Sequence, residues 1–359
     1  MGLLLAFSLT LSITFSAENI FVSCEGNFYQ GNGSLWSISD DQTQEYSNDY
    51  NWDVLQSVYV YDDMLFVISN GSSTVYVFEI TEDNLYPITS ISTNNSGPRE
   101  MIVHDGYLYF TNWYSSDVKK INLETWELEN EIDMPGLPED IVLSEDGLIY
   151  VSITMNLDWT DGNEVVAIDP NLNVIVDTFD VGEGPTELLS FNGDIYVSRT
   201  YYDDSWNAFY GTSRITDDGV DIASYGAGAA CGGGIFNFGG SAYRVYDGGI
   251  AKIDEDLQIL PNTRIGSYEA SEVYSAKVLN DYIYFGLTDY AYPDYVAVVD
   301  SNGDELNRFE VGIFPGDFAV WNSCVSDGDI NHDGDLNVAD IVQTVYLILD
   351  EAPYECSAD

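Results

Sequence analysis

The sequence predicts an all-β protein: a seven-bladed β-propeller closed by a strand from the C-terminal side, followed by a small loop–helix module. Three observations predict this fold. Short runs of β-branched and aromatic residues alternate with Gly, Asp and Asn turns. The unit they form recurs at a nearly constant period. The two ends of the repeat region each hold part of one further unit, and together the two parts make it complete.

The stretch from Pro98 to Met134 shows the repeating unit. It contains four runs bounded by Gly, Asp, Asn or Ser, namely Glu100–Val103, Tyr107–Thr111, Asp117–Asn122 and Trp126–Asp133. Runs of this length and composition are typical of antiparallel strands joined by tight turns. Four such strands in about forty residues are typical of one propeller blade.

The turn between the first two strands recurs six times. It appears as Asp62-Asp63, Asp105-Gly106, Asp146-Gly147, Asn192-Gly193, Gly239-Gly240 and Asn280-Asp281. The steps between these turns are 43, 41, 46, 47 and 41 residues. Such regularity predicts a repeat architecture in which each turn marks one blade.

A seventh blade is split between the two ends of the repeat region. Residues 314–320 copy the strand that opens a blade, and no second strand follows them. Residues 19–24 look like a second strand with no first strand before it. We therefore predict that Asp317–Val320 pairs with Ile20–Cys24 and that residues 18–321 form one closed ring, which leaves only short, protected sheet edges.

The charge balance limits the possible partners. The chain of 359 residues has 61 acidic and 10 basic residues, for a net charge of −51. Nucleic acids and anionic membranes require patches of Lys and Arg, so neither is expected as a partner. The favoured explanation is a surface protein kept soluble by its charge, and the alternative is a surface that binds cations.

The N-terminal residues 1–17 are predicted to be a signal peptide. Their apolar run is 15 residues long, which suits a signal-peptide core better than a membrane span. We therefore expect a secreted or cell-surface protein with no transmembrane segment in its mature form. Export permits a disulfide between Cys324 and Cys356, whereas Cys24 and Cys231 are expected to be buried or free thiols.

Two segments carry a resemblance to a known family. Residues 19–35 resemble the opening of bacterial surface-layer propellers related to YncE and the YVTN repeats, and residues 165–185 resemble the YVTN repeat itself. The resemblance implies an exported seven-bladed propeller that binds something. Some related Bacteroides surface proteins capture corrinoids, so the resemblance also makes a flat ligand an option.

Strand order predicts which loops share a face. The corners between blades and the loops between second and third strands lie on one face, and aromatic residues concentrate there. A small molecule, a glycan or a surface protein is the expected ligand, because aromatic faces with a few polar groups suit such partners. The predicted ligand-binding residues are Trp113, Tyr114, Trp159, Tyr201, Tyr202, Trp206 and Tyr292, with Glu100, Asp140, Glu187 and Asp317 at matched corner positions around the channel.

No catalytic residue is predicted. His104 belongs to the opposite face and His332 to the C-terminal module, so the aromatic face has no histidine acid or base. Motifs of serine hydrolases, zinc proteases and phosphate-binding loops are absent from the sequence. A binding protein is favoured; the alternatives are a propeller enzyme acting on a saccharide or lactone, and a structural surface-layer component.

The segment 322–359 is predicted to be a calcium-binding module. Oxygen ligands fall at the spacing of a twelve-residue calcium loop, with Gly334 at the sharp turn. The predicted ligands are Asp329, Asn331, Asp333, Asp335 through its carbonyl, Asn337 and Asp340. An amphipathic helix, Val338–Asp350, is predicted to follow. The loop and helix resemble one type I dockerin repeat, which implies attachment to a cohesin-like or cell-surface partner, although a dockerin has two such repeats.

Overall fold

The computed structural model describes residues 18–39, 41–46, 52–81, 84–228 and 233–322, together with positions 338, 341, 342 and 345. The predicted signal peptide, Cys231, the pair Cys324 and Cys356, and the six calcium ligands lie outside the described residues. The predictions made for them therefore remain predictions.

Seven sheets form in the described part of the chain, one for each predicted blade. Blade 1 consists of β27 (Pro315–Asn322), β1 (Glu18–Cys24), β2 (Ser34–Ser39) and β3 (Gln42–Tyr46). Blade 2 consists of β4 (Leu55–Tyr61), β5 (Met64–Ser69), β6 (Thr74–Ile80) and β7 (Leu85–Ser92). Blade 3 consists of β8 (Pro98–His104), β9 (Tyr107–Asn112), β10 (Asp117–Asn122) and β11 (Leu128–Asp133).

The remaining sheets follow in chain order. Blade 4 consists of β12 (Gly136–Leu143), β13 (Ile149–Asn156), β14 (Asp161–Asp169) and β15 (Val174–Asp180). Blade 5 consists of β16 (Pro185–Phe191), β17 (Asp194–Tyr202), β18 (Ala208–Thr216) and β19 (Gly219–Ala227). Blade 6 consists of β20 (Ile235–Phe238), β21 (Ser241–Tyr246) and β22 (Gly249–Lys252), and blade 7 of β23 (Val273–Leu279), β24 (Tyr282–Leu287), β25 (Asp294–Val299) and β26 (Glu305–Val311).

All six predicted turns join the first and second strands of a blade. In blade 3 the turn residues Asp105 and Gly106 have φ angles of 47° and 76°. Two successive residues with positive φ are typical of the hairpin turns whose twist matches that of the strands, and Asp, Asn and Gly adopt this conformation at the least cost. The turns thus set the register of the first two strands in blades 2 to 7.

The predicted closure of the ring is confirmed. The last strand, β27, lies beside β1 in the sheet of blade 1. Just beyond this pairing, the Glu25 N–H donates to the Phe314 carbonyl at 2.9 Å and the Gly26 N–H to the Ile313 carbonyl at 3.0 Å. Phe318 from β27 packs with Val22 from β1 in one buried cluster. Residues Ile20–Val320 accordingly form one compact unit.

Blade 6 departs from the four-stranded pattern, because the chain after β22 folds into local turns. The Asp254 carboxylate accepts hydrogen bonds from the backbone N–H groups of Asp256 (3.0 Å) and Gln258 (2.8 Å). A short 3₁₀ helix, Pro261–Thr263, follows, and proline there has no N–H to give to a sheet. Among the residues that the structure describes, only single bridges cover the edge of the blade, from Ile253 to Ile259 and from Ile250 to Ile265.

Apolar side chains from facing sheets fill the space between blades. Ile102 and Tyr109 of blade 3, for example, share one buried cluster with Ile141 and Val151 of blade 4. Outside the propeller, Val338, Ile341, Val342 and Val345 are helical, as predicted for that segment. In the part of the chain that the structure describes, no helix is both long and apolar enough to span a bilayer.

Candidate functional site

A cavity of about 810 Å³ lies among the first strands of the blades. Pockets of about 300–1,000 Å³ hold most small-molecule ligands. Its walls are apolar along Val58, Met101, Ile141, Leu188 and Ile235. The charged side chains that line it are Glu25, Glu100, Glu139, Asp140, Glu187 and Asp317, with Arg99 and Lys277 as the cations.

One position in each first strand forms a ring around this cavity. In each blade this residue lies one position before the residue that pairs with the middle of the second strand. In blade 3, for example, Glu100 comes directly before Met101, and Met101 pairs with Phe110. From blade 1 to blade 7 the ring residues are Asp317, Ser57, Glu100, Asp140, Glu187, Gly234 and Ser275. The four carboxylates that the sequence placed together thus do line one cavity.

The two aspartates of the ring are hydrogen-bonded to backbone groups. Asp140 accepts from the N–H groups of Ile141 (2.7 Å) and of Leu188 in the next blade (2.6 Å). Asp317 accepts from the N–H of Val58 in blade 2 (3.1 Å) and from Lys277 Nζ (2.8 Å). Each aspartate therefore links neighbouring blades, a structural role that needs no ligand.

The two glutamates of the ring have no such partner. Within the described residues, neither the Glu100 nor the Glu187 carboxylate takes part in a hydrogen bond. Both border the cavity, so water can reach part of their surface, yet protein surrounds them on the other sides. They are the acceptors that remain free for a ligand.

Burial changes the acidity of this ring. Burial and the charge of Asp140 raise the pKa of Glu187 to about 8. Burial and the charge of Asp317 raise the pKa of Glu100 well above its usual range. Burial also raises the pKa of Asp140 to about 6, although its two backbone N–H donors oppose the rise. Near neutral pH, Glu187 is therefore mostly protonated.

Lys277 lines the same cavity as these carboxyl groups. Burial lowers its pKa, but the charge of Asp317 and the hydrogen bond to it outweigh burial, and the pKa is raised. Glu100 and Glu187 act on Lys277 in the same direction. Lys277 was not predicted as a site residue, because its position in β23 has no charged counterpart in the other blades.

A bulge brings a second residue of each corner to the cavity. Pro98 of β8 pairs with Asn112 of β9, and the next paired residues are Met101 and Phe110. Between these two pairs β8 contains one residue more than β9. The same irregularity occurs in blades 4 and 5. Extra residues in a strand interrupt the alternation of side chains, so Arg99 as well as Glu100 lines the cavity.

Arg99 separates this cavity from a smaller one. Its Nε lies 3.2 Å from both carboxylate oxygens of Glu139, and its Nη1 donates to Gln56 Oε1 at 2.6 Å. The guanidinium also lies 4.4 Å from the ring centre of Trp113, a cation–π contact. The side cavity has a volume of about 430 Å³. It shares Glu25, Gln56, Arg99 and Tyr274 with the main cavity and adds Phe28, Trp113, Tyr114 and Phe314.

The predicted aromatic residues fall into two groups. Trp113 and Tyr114 line the side cavity, and Trp159 packs edge-on against Trp113 with ring centres 6.2 Å apart. The others border neither cavity. Tyr201 stacks on Phe209, Tyr202 packs against Trp206, and Tyr292 is exposed. The structure therefore does not bring all seven predicted aromatic side chains to one pocket.

The described residues contain no cluster of three His, Cys, Asp or Glu side chains placed to hold a metal ion. Cys24 is buried and unpaired, as expected, and burial raises the pKa of its thiol. His104 ends β8 beside the Asp105-Gly106 turn, at the predicted opposite end of the strand from the Pro98 corner.

The sequence itself matches no protein-family model and no curated protein. Its fold resembles many solved structures at low sequence identity. A protein from Lactobacillus plantarum superposes with a TM-score of 0.64 at 8% identity, over 85% of this chain and 100% of that one. A candidate 6-phosphogluconolactonase from Bacteroides fragilis gives a TM-score of 0.61 at 14% identity, over 87% and 99% of the two chains.

A third similar structure is apo AztD from Citrobacter koseri, with a TM-score of 0.53 at 11% identity over 86% of this chain and 99% of that one. At such identities the likeness extends to the fold alone, because unrelated activities share the propeller architecture. The chain is thus a seven-bladed β-propeller similar in fold to candidate 6-phosphogluconolactonases, and its activity has to be argued from its own cavity.

Proposed function

We propose that this protein is an exported, non-catalytic binding propeller whose central cavity takes a small organic cation such as a diamine. The observation that carries the proposal is the excess of carboxyl groups in the cavity wall, where six of them face two basic side chains. Two of the six, Glu100 and Glu187, have no hydrogen-bond partner among the described residues. Both border the cavity, so their oxygens can accept hydrogen bonds from a ligand that enters it.

The electrostatics favour a cation over an anion. Asp317 already pairs with Lys277, and Glu139 already pairs with Arg99. Both basic side chains are therefore neutralised, and no free positive group remains in the wall for a phosphate or carboxylate. A cation would favour ionisation of Glu100 and Glu187 and so oppose the rise in their pKa values, and at Glu187 its charge would replace a proton. Binding would thus release protons.

The neighbouring aromatic groups support an organic cation rather than a bare ion. Trp113, Tyr114 and Tyr274 line the adjoining side cavity, and aromatic faces attract alkylammonium groups through cation–π contacts. A ligand with an ammonium head and an apolar body matches carboxyls in one cavity and rings in the other.

Attachment of the protein outside the cell is the second part of the proposal. It rests on the sequence of residues 1–17 and on the loop with ligands from Asp329 to Asp340, which resembles one dockerin repeat. Extracellular calcium modules bind at about 10⁻⁴–10⁻³ M, close to the Ca²⁺ concentration outside cells. We propose that bound Ca²⁺ orders this segment for attachment to a surface or cohesin-like partner.

Calorimetry on the full chain tests the cavity. We expect 1,5-diaminopentane and spermidine to bind, and a neutral disaccharide and a sugar phosphate to give no heat. The double variant Glu100→Gln/Glu187→Gln should weaken diamine binding at least about tenfold, because each removes a charged acceptor. Glu127→Gln is the control, because Glu127 is exposed and borders neither cavity. Binding of the sugar phosphate in preference to the diamine would contradict the proposal.

A separate titration tests the calcium loop. The full chain should bind one Ca²⁺ at millimolar concentration, and Asp333→Ala should abolish that binding, since it removes a ligand from the centre of the loop. Asp217→Ala, at an exposed turn of the propeller, should have no effect. Equal Ca²⁺ binding by wild type and Asp333→Ala would remove the argument for attachment through this loop.

A propeller enzyme acting on a lactone or saccharide is the second candidate. It is favoured by the pKa of Glu187 near 8 and that of Asp140 near 6 in one cavity, since carboxyls with raised pKa values are frequent in acid–base sites. Turnover of a lactone or glycan that Glu187→Gln abolishes would replace the binding function with catalysis.

A further inference from the structure

The side cavity is walled largely by aromatic rings. Five of its eleven lining residues are aromatic, namely Phe28, Trp113, Tyr114, Tyr274 and Phe314. The rings of Tyr274 and Phe314 are nearly parallel, with centres 5.1 Å apart. Phe28 and Tyr114 are 48% and 56% exposed, so they lie where the cavity meets solvent. The cavity therefore offers aromatic surface both inside and at its opening.

One carboxyl group, that of Glu25, lies among these rings and borders both cavities. A Cβ atom built on Gly316 would lie 2.9 Å from Glu25 Oε1. The Glu25 carboxyl thus takes the place in blade 1 that the side chains of Gln56 and Arg99 take in the next two blades. Burial raises the pKa of Glu25, whereas a hydrogen bond from the Tyr274 hydroxyl and the charge of Arg99 lower it. Within the described residues Glu25 belongs to no ion pair.

The cavity already holds one cation against a ring. The Arg99 guanidinium lies 4.4 Å from the ring centre of Trp113, and its charge is neutralised by Glu139. The faces of aromatic rings attract cations in this way because the ring quadrupole is negative there. Since Arg99 covers one face of Trp113, the ring surface that remains for a ligand belongs mainly to the other four aromatic residues.

The hydrogen-bonding groups of the cavity indicate which kind of ammonium fits. A primary ammonium group carries three N–H donors, each of which needs an acceptor when it leaves water. Glu25 and Gln56 lie on the boundary with the main cavity, and they already accept from Tyr274 and from Arg99. A trimethylammonium group needs no acceptor. Its methyl groups can pack on ring faces while its charge is attracted to Glu25.

We propose that the side cavity is an aromatic cage that binds a trimethylammonium group, with Glu25 as the opposite charge. The inference rests on the proposed function and names the ligand class within it: an organic cation that is methylated at one end and has its other end among the carboxyl groups of the main cavity. The two cavities adjoin, because four residues border both of them.

Three variants of the full chain test the cage. Phe28→Leu/Tyr114→Leu removes two rings but keeps apolar side chains, and both positions are exposed, so the fold should persist. Glu25→Gln removes the charge and keeps an oxygen that can accept from Tyr274. Tyr86→Leu is the matched control, because Tyr86 is 52% exposed and borders neither cavity.

The experiment is calorimetry at pH 8.5 with 1,5-diaminopentane and with 5-aminopentyltrimethylammonium, after thermal melting shows that the variants fold. The two probes have the same chain and the same charge. We expect wild type and Tyr86→Leu to bind the methylated probe about tenfold more tightly than the diamine. Phe28→Leu/Tyr114→Leu should reduce this preference to about twofold or less, and Glu25→Gln should weaken binding of the methylated probe about fivefold or more.

The outcomes separate this inference from the proposed function. If neither probe binds to wild type, both are wrong. If wild type binds the diamine as tightly as the methylated probe, or more tightly, the main cavity binds cations but the aromatic cage is overturned. The cage is also overturned if the preference is unchanged in Phe28→Leu/Tyr114→Leu, or if Tyr86→Leu loses it to the same extent.

Discussion

Two boundaries between blades can be compared: the seam between blades 4 and 5, and the seam between blades 5 and 6. They contain the same kinds of residue, but these residues make different hydrogen bonds. At the first, Asp140 reaches the Leu188 N–H of the next blade, and the Ser152 hydroxyl reaches the Thr186 carbonyl. At the second, Glu187 and Ser198 occupy the corresponding positions and neither side chain has a partner. The first boundary is closed by hydrogen bonds between the blades, whereas at the second the corresponding side chains make none.

The cause of the difference lies in blade 6. Gly233 and Gly234 remove two side chains at the seam, and the blade has three strands rather than four. Glutamate is also one methylene longer than aspartate, which places its carboxyl beyond the neighbouring backbone.

The largest contrast in stability is expected between the two ring carboxylates of these seams. Asp140→Ala should lower the free energy of unfolding by about 3 kcal/mol, because it leaves the N–H groups of Ile141 and Leu188 without their charged acceptor. Glu187→Ala should not lower it and should raise it at pH 7, since no hydrogen bond is lost and the raised pKa of Glu187 lowers the stability of the wild type at that pH. Urea unfolding at pH 7 measures both. Equal losses would show that Glu187 also links blades.

A second contrast concerns pH. The folded chain keeps a proton on Glu187 up to about pH 8, whereas an unfolded chain gives it up near pH 4.5. The folded state therefore binds more protons in this window, and its stability falls as the pH rises through it. Asp140 contributes in the same direction, but only up to about pH 6.

The Glu187→Gln variant isolates this effect. Between pH 6 and 8 its free energy of unfolding should fall less steeply than that of wild type, because the group that titrates there has been removed. Urea unfolding at several pH values gives the two slopes. Glu127→Gln, which alters an exposed glutamate, controls for the change in net charge. Parallel slopes for Glu187→Gln and wild type would mean that Glu187 is ionised throughout.

The sequence predicted the closed ring of seven blades, and it also predicted four of the residues that line the cavity: Glu100, Asp140, Glu187 and Asp317. Turns such as Asp105-Gly106 specify their own conformation, so their spacing predicted every first-to-second-strand hairpin. Matched corner positions then placed Glu100 and Glu187 at the cavity. Arg99 and Glu139 were missed because strict alternation would turn them away from it, and the bulges that bring them inward have no sequence signal of their own.

Other features depended on contacts between blades that no single repeat contains. Lys277 lines the cavity from a position where other blades have apolar residues such as Ile102, so matching of repeats could not identify it. Whether the Ser198 hydroxyl finds a hydrogen-bond partner is decided by the neighbouring blade, and in the structure it has none. Trp206 and Tyr202 pack against each other and border neither cavity, so their role as ligand-binding residues stays a prediction.

The smallest expected effect compares the serines of the two seams. Ser152→Ala removes hydrogen bonds to the Asp140 N–H and the Thr186 carbonyl, so it should lower the free energy of unfolding by about 1.5 kcal/mol. Ser198→Ala removes a buried hydroxyl that bonds to nothing in the free protein. Because that hydroxyl was desolvated without compensation, its loss should leave stability unchanged or raise it by up to about 1 kcal/mol. Urea unfolding of the two variants in parallel measures the difference. A loss in Ser198→Ala as large as that in Ser152→Ala would show that Ser198 bonds within the protein after all, and the seam between blades 5 and 6 would then be closed like the one before it.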